Sequence, residues 1–197
     1  MDQPVDPAPA SAKRRSLGLG LLLGVILVGA VALVVWVARD GGGPEPERIG
    51  VPESSAGNGE PAPDTAFERF DGSAASLADY QGRPLVLNFF ASWCAPCVRE
   101  MPDFEAVHQR LGDQVAFLGI ANQDRLADAQ QIVDETGVSY DLGRDPSGDL
   151  LVDVGGIVMP TTVFVSADGE VLELHNGELS ADELAARIEE HFGVTAP

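Results

Sequence analysis

The chain has 197 residues, which allows one domain of ordinary size with appendages, and 45% of them are hydrophobic, enough for a packed core. The formal net charge of −19 argues against nucleic acid and anionic lipid as partners. Two cysteines are too few for a disulfide framework, and too few for a zinc ribbon, which needs a second pair.

In chain order, residues 1–16 hold the cluster Lys13, Arg14 and Arg15, and Lys13 is the only lysine. Residues 17–38, "LGLGLLLGVILVGAVALVVWVA", are 22 consecutive residues without a charge. As a helix they span about 30 Å, roughly one hydrocarbon core. The basic cluster ahead of them places residues 1–16 in the cytoplasm and everything after Ala38 outside. A cleaved signal peptide fits less well. Its apolar region runs to about 7–15 residues and ends at a small-x-small site. The best such site here, Ala30-Val-Ala32, runs on into "LVVWV" with Trp36. The expectation is therefore an uncleaved, single-pass signal anchor in the cell membrane. Residues 39–64 contain six Gly, five Pro and six acids with no apolar periodicity. They read as a flexible linker with an end-to-end distance of about 25–30 Å.

Residues 65–197 alternate between strand and helix patterns. "PLVLNFFA" (84–91) and "VAFLGIA" (115–121) are near-continuous apolar runs, as in strands buried on both faces. Between them, Met101, Phe104 and Leu111 recur at helical spacing over 96–111. Asp124 is placed to cap a helix carrying Leu126, Ala129, Ile132 and Val133, which Gly137 stops. "TTVFV" and "VLELH" flank the turn Ala167-Asp168-Gly169-Glu170 and predict a hairpin. Ser180 with Glu183 forms a capping box for a last helix that turns Leu184, Ile188 and Phe192 to one side. This order predicts an α/β domain, a mixed central sheet with helices on both faces, preceded by one transmembrane helix.

Cys94 and Cys97, in "SWCAPCVRE", fall where a buried strand ends and a helix begins. Chemistry favours that edge of an open α/β sheet. A thiol at a helix N-terminus meets unpaired N–H groups and the positive end of the dipole, which stabilise its thiolate. Cys94 is thus the expected nucleophile, held accessible, and Cys97, one turn inside, the resolving thiol. Pro96 suits a first turn because a missing N–H costs nothing there. A structural staple is disfavoured, since so short a loop constrains the unfolded chain little. A metal needs further ligands; His108 lies about 16 Å along the helix from Cys97, and only His175 could fold back toward the pair. The reading is therefore no metal, with His108, His175 and His191 as surface or packing residues.

The block "VLNFFASWCAPCVREMPDFE" resembles the active-site segment of the TlpA-like branch of the thioredoxin superfamily, the membrane-tethered thiol–disulfide oxidoreductases of the ResA and DsbE kind. The similarity covers about residues 65–197 and implies a thioredoxin-like fold. It also implies that Trp93 precedes the motif at a docking rim and that Pro102 kinks the helix. In "GIVMPTTVFV" it implies a cis Met159–Pro160 bond beside the sulfurs, where a substrate strand docks. Residues 135–156, "ETGVSYDLGRDPSGDLLVDVGG", resemble the element this branch inserts before that proline. Glu100 matches a glutamate kept near the sulfurs, a candidate proton relay, although an acid early in a helix also simply favours the dipole. Asn88 replaces the buried aspartate of cytoplasmic thioredoxins and reads as a satisfied core residue.

The resemblance further implies disulfide-containing exported proteins as substrates, a CcdA/DsbD-like membrane electron donor, a role in cytochrome c maturation, and no cofactor beyond the Cys94–Cys97 disulfide. The direction stays open between a reductase and an oxidase of exported proteins, because related folds span about −270 to −120 mV. A copper carrier of the Sco type is the remaining alternative. That type has three residues between its cysteines, where this chain has two.

Overall fold

The computed structural model describes residues 59–195. The expected tail, the anchor at 17–38 and most of the linker lie outside the described residues. Among those described, no helix is long and apolar enough to cross a membrane. The elements in chain order are β1 (Glu60–Pro61), β2 (Phe67–Arg69), β3 (Ala74–Ala75), a 3₁₀ turn (Leu77–Tyr80), β4 (Leu85–Phe90), α1 (Ala95–Leu111), β5 (Ala116–Asn122), α2 (Leu126–Thr136), β6 (Asp141–Asp145), α3 (Asp149–Asp153), β7 (Thr161–Val165), β8 (Glu170–Asn176) and α4 (Ala181–Phe192). They form one mixed sheet ordered β1-β8-β7-β4-β5-β6-β2-β3.

Every residue of β4 and β5 is buried, as their unbroken apolar runs require. β4 pairs in parallel with β5, from Leu85 opposite Ala116 to Phe90 opposite Ala121. On its other side it pairs antiparallel with β7, Phe89 facing Thr161. Alternation along β4 then feeds two cores. Val86 and Phe90 join Met101, Phe104 and Leu111 of α1 with Leu184 and Ile188 of α4. Leu85, Leu87 and Phe89 join Phe67, Leu77 and the α3 residues Leu150 and Leu151 on the opposite face. Pro102 lies inside α1, where it deprives the Val98 carbonyl of its helical donor.

The hairpin and the Ser180–Glu183 capping box form as expected. Gly137 ends α2 in the left-handed region at φ 72°. Two expectations are corrected. Asp124 does not cap α2; Arg125 occupies that position without a side-chain cap, and Asp124 turns to Ser92 instead. The expected linker bound at residue 64 is moved, because Glu60 and Pro61 pair with Val171 and Glu170 of β8. The strand β6, "DLGRD", carries no apolar alternation, and its place comes from the ladder to β5 and from its final side chain. The Asp145 carboxylate accepts from the N–H groups of Gly148, Leu150 and Leu151, tying the start of α3 to the sheet.

Gly143 of β6 sits directly under Phe67, where an added Cβ would lie 2.6 Å from the Phe67 ring and 2.9 Å from Ile120 Cδ1. We expect Gly143→Ala to destabilise the oxidised domain by about 1–3 kcal/mol through overpacking. Urea unfolding should show a lower midpoint with an unchanged slope, and an unshifted midpoint would refute this packing account.

Candidate active site: a buried cysteine pair at a helix start

The parallel strands β4, β5 and β6 end at one edge of the sheet, and the antiparallel β7 begins there. Cys94 follows β4 at that edge and is the N-cap of α1, with φ −95° and ψ 93°. Its N–H donates to Ala91 O at 3.0 Å, closing the turn that lifts the chain from strand to helix. Asp124, in the turn after β5, holds the approach to this turn. Its carboxylate accepts from Ser92 N–H at 2.6 Å and from Ser92 Oγ at 3.0 Å.

Cys94 and Cys97 are joined as a disulfide, with their Cα atoms 5.3 Å apart. The N–H of Cys97 points at Cys94 Sγ, 3.3 Å away. A free N–H at a helix start is the kind of donor that favours a charged sulfur over a neutral one. The two sulfurs are unequal, though less so than expected. Cys94 is 5% exposed and Cys97 not at all, so the expectation of an openly accessible first sulfur is corrected to a nearly buried one. The exposed group is its neighbour Trp93, at 62%. Pro96 occupies the first turn of the helix.

The Met159–Pro160 bond is cis. The pairing of Phe89 with Thr161 places Pro160 level with the end of β4, beside the strand that delivers the sulfurs. The Pro160 carbonyl accepts from Gly177 N–H at 2.9 Å, linking this segment to the loop before α4.

Glu100 is buried, at 1% exposure, and not a solvated acid of the first turn. Asn88 Nδ2 donates to its Oε1 at 2.8 Å, and Leu179 N–H donates to its Oε2 at 3.0 Å. Burial is the largest influence and pushes the Glu100 carboxyl up to about 7, against these two hydrogen bonds; the nearby charges of Glu178 and Asp103 push the same way. Asn88 also donates to Thr162 Oγ1 at 3.3 Å, yet its own Oδ1 is buried without a partner, so its expected full satisfaction is only half met. Sequence reasoning missed Leu179, Thr162, Ser92 and Asp124. The first acts through a backbone N–H that carries no side-chain signature, and the others depend on which loops meet. An Arg99–Glu178 ion pair at 2.6 Å ties α1 to the same loop as Leu179.

The histidines lie in packing and ion-pair positions. His108 stacks edge-on against Phe117 and Tyr140, and His191 pairs with Glu173 of β8. Burial lowers the pKa of His175. Among the described residues, no group of three or more His, Cys, Asp or Glu side chains is arranged to hold a metal.

Relatives match most of the described domain in sequence and in fold. The thiol–disulfide oxidoreductase ResA of Oceanobacillus iheyensis is 33% identical over 135 residues, covering 64% of this chain and 68% of that protein. The thiol:disulfide interchange protein DsbE of Xylella fastidiosa is 32% identical over 132 residues, covering 66% of each. Among solved structures, a DsbF homologue from Corynebacterium diphtheriae is 31% identical with a TM-score of 0.62, covering 68% of this chain and 87% of that one. A family model described as Redoxin matches residues 57–188. The chain therefore belongs to the redoxin family, and with its cysteine pair at the start of α1 it is a thiol–disulfide oxidoreductase.

Proposed function

We propose that this protein is a membrane-anchored, extracytoplasmic reductase of disulfides in exported proteins, acting through Cys94 and Cys97. The observation that carries the reading is the placement of the pair, with Cys94 at the helix cap under the Cys97 N–H and Cys97 sealed behind it. The location rests on the 22-residue apolar stretch behind Lys13–Arg15.

In this mechanism the Cys94 thiolate attacks one sulfur of a substrate disulfide. A mixed disulfide forms and one substrate sulfur leaves as a thiolate, which takes up a proton. Cys97, deprotonated, then attacks Cys94 Sγ, expels the second substrate sulfur and leaves the Cys94–Cys97 disulfide. Two electrons pass from the dithiol to the substrate. Glu100 lies one helical turn from Cys97 on the same face, and with a carboxyl near 7 it is the proposed acceptor of the Cys97 proton. Trp93 and the Met159–Pro160 segment form the docking rim, where free main-chain groups pair with an extended substrate strand. A CcdA/DsbD-like membrane protein would return electrons, exported proteins of cytochrome c maturation are the proposed substrates, and no metal or organic cofactor takes part.

Alkylation trapping in cells tests the roles of the sulfurs. A Cys97→Ala chain should accumulate mixed disulfides with exported proteins, and a Cys94→Ala chain should trap none; the reverse pattern would reassign the nucleophile. Equilibration with glutathione tests direction. A potential toward the reducing end, about −270 mV, supports the reductase, whereas one near −120 mV makes the protein an oxidase.

Glu100 gives a pH signature. Its carboxyl binds a proton more tightly in the folded protein than in the unfolded chain, so its contribution to stability is complete below about 4.5 and is lost as pH rises through about 7. The full span is roughly 3 kcal/mol at about 1.4 kcal/mol per unit. Denaturant midpoints of the oxidised protein should fall across that window, and Glu100→Gln should flatten the trend. The same substitution should slow Cys97 attack on order of 10²-fold, a typical loss for a missing base. An unchanged resolution rate would remove Glu100 from the proton path.

A further inference from the structure

The large apolar side chains left exposed among the described residues are Trp93, Leu126, Val152, Ile157 and Val158. Each follows the end of β4, β5 or β6 or precedes the start of β7, so all belong to the sheet edge that carries Cys94. Beside them lies a cavity of about 410 Å³, bounded by the end of β5, the helix α3 and the loop Gly155–Ile157 that leads to Met159.

The cavity wall has a specific chemistry. Leu151, Val152 and Ile157 supply aliphatic surface, and Asp149 is the only charged residue lining it. Asn122, 4% exposed, lines it as well, and its buried Oδ1 has no hydrogen-bond partner. Gln123 adopts a left-handed φ of 49°, and its Nε2 donates to Ser147 O at 2.9 Å, bracing one side. An aliphatic wall with a carboxylate and a spare acceptor suits a long stem that ends in a cationic N–H donor. The charge of the whole chain, −19, steers the same kind of partner.

We propose that this cavity is a subsite receiving a lysine or arginine side chain of the substrate polypeptide, two or three residues from the cysteine that Cys94 attacks. The spacing follows from the loop. A strand paired with Met159 reaches Ile157 two residues further on, about 7 Å away. The proposal rests on the reading of the site as a reductase of polypeptide disulfides, and it adds the sequence that such a polypeptide must offer.

Reduced full-length protein is tested on peptide disulfides with Arg, Lys, Gln, Leu or Glu placed two or three residues to either side of the cysteine. On one side, Arg and Lys should exceed Glu in kcat/KM by about fivefold at low salt, with Gln between. Asp149→Asn should remove most of that preference by lowering kcat/KM for the Arg and Lys peptides. Asp168→Asn, an acid in the β7–β8 turn at the far edge, should leave the preference intact. Equal turnover of Arg and Glu peptides, a Leu peptide that outruns both, or equal loss in the Asp168→Asn chain would overturn the subsite. If no peptide is reduced at all with both cysteines intact, the underlying reading of function fails instead.

Discussion

The site exists because β4 can be held at a fixed height between two neighbours of opposite sense. Its backbone is committed on one side to β5 and on the other to β7, and both faces of the strand are covered. A strand so constrained has no freedom to slip, since a shift of one residue would turn Leu85, Leu87 and Phe89 out of one core and into the other. The sulfurs inherit that fixity. Cys94 begins a helix at a defined point above the sheet, and Pro160 arrives beside it because β7 is locked to the same strand.

Around this frame the polar groups are few and interdependent. Glu100 is buried on a helix, yet its two hydrogen bonds come from a β4 side chain and from the backbone of the loop before α4. That loop also holds the Pro160 carbonyl through Gly177. The carboxyl and the docking segment are thus fastened to one short stretch of backbone. The elevated pKa follows from the poverty of the surroundings: two hydrogen bonds do not match the hydration that the carboxylate gives up on burial.

Most of what positions the sulfurs could be read from residue order. The continuous apolar runs of β4 and β5 announced buried strands, the Ser180–Glu183 pair announced α4, and the Cys-x-x-Cys spacing at a strand-to-helix junction announced the chemistry. What could not be read falls into two kinds. The strand β6 is polar because it is held by ladder bonds and by Asp145, and such a strand leaves no hydrophobic pattern. Asp124 looked like a cap by local rule, whereas its partner Ser92 is 32 residues away and is known only once β4 and β5 lie side by side. Residues 135–156 were legible through family resemblance but not through periodicity, and they build the cavity wall.

The pairing of Glu60 and Pro61 with the first residues of β8 also fixes where the described chain begins. β8 runs from that pole toward the sulfur-bearing one, so Gly59 departs about 15–20 Å below the level of Pro160. The first described residues thus lie at the opposite pole of the sheet from the oxidisable sulfurs.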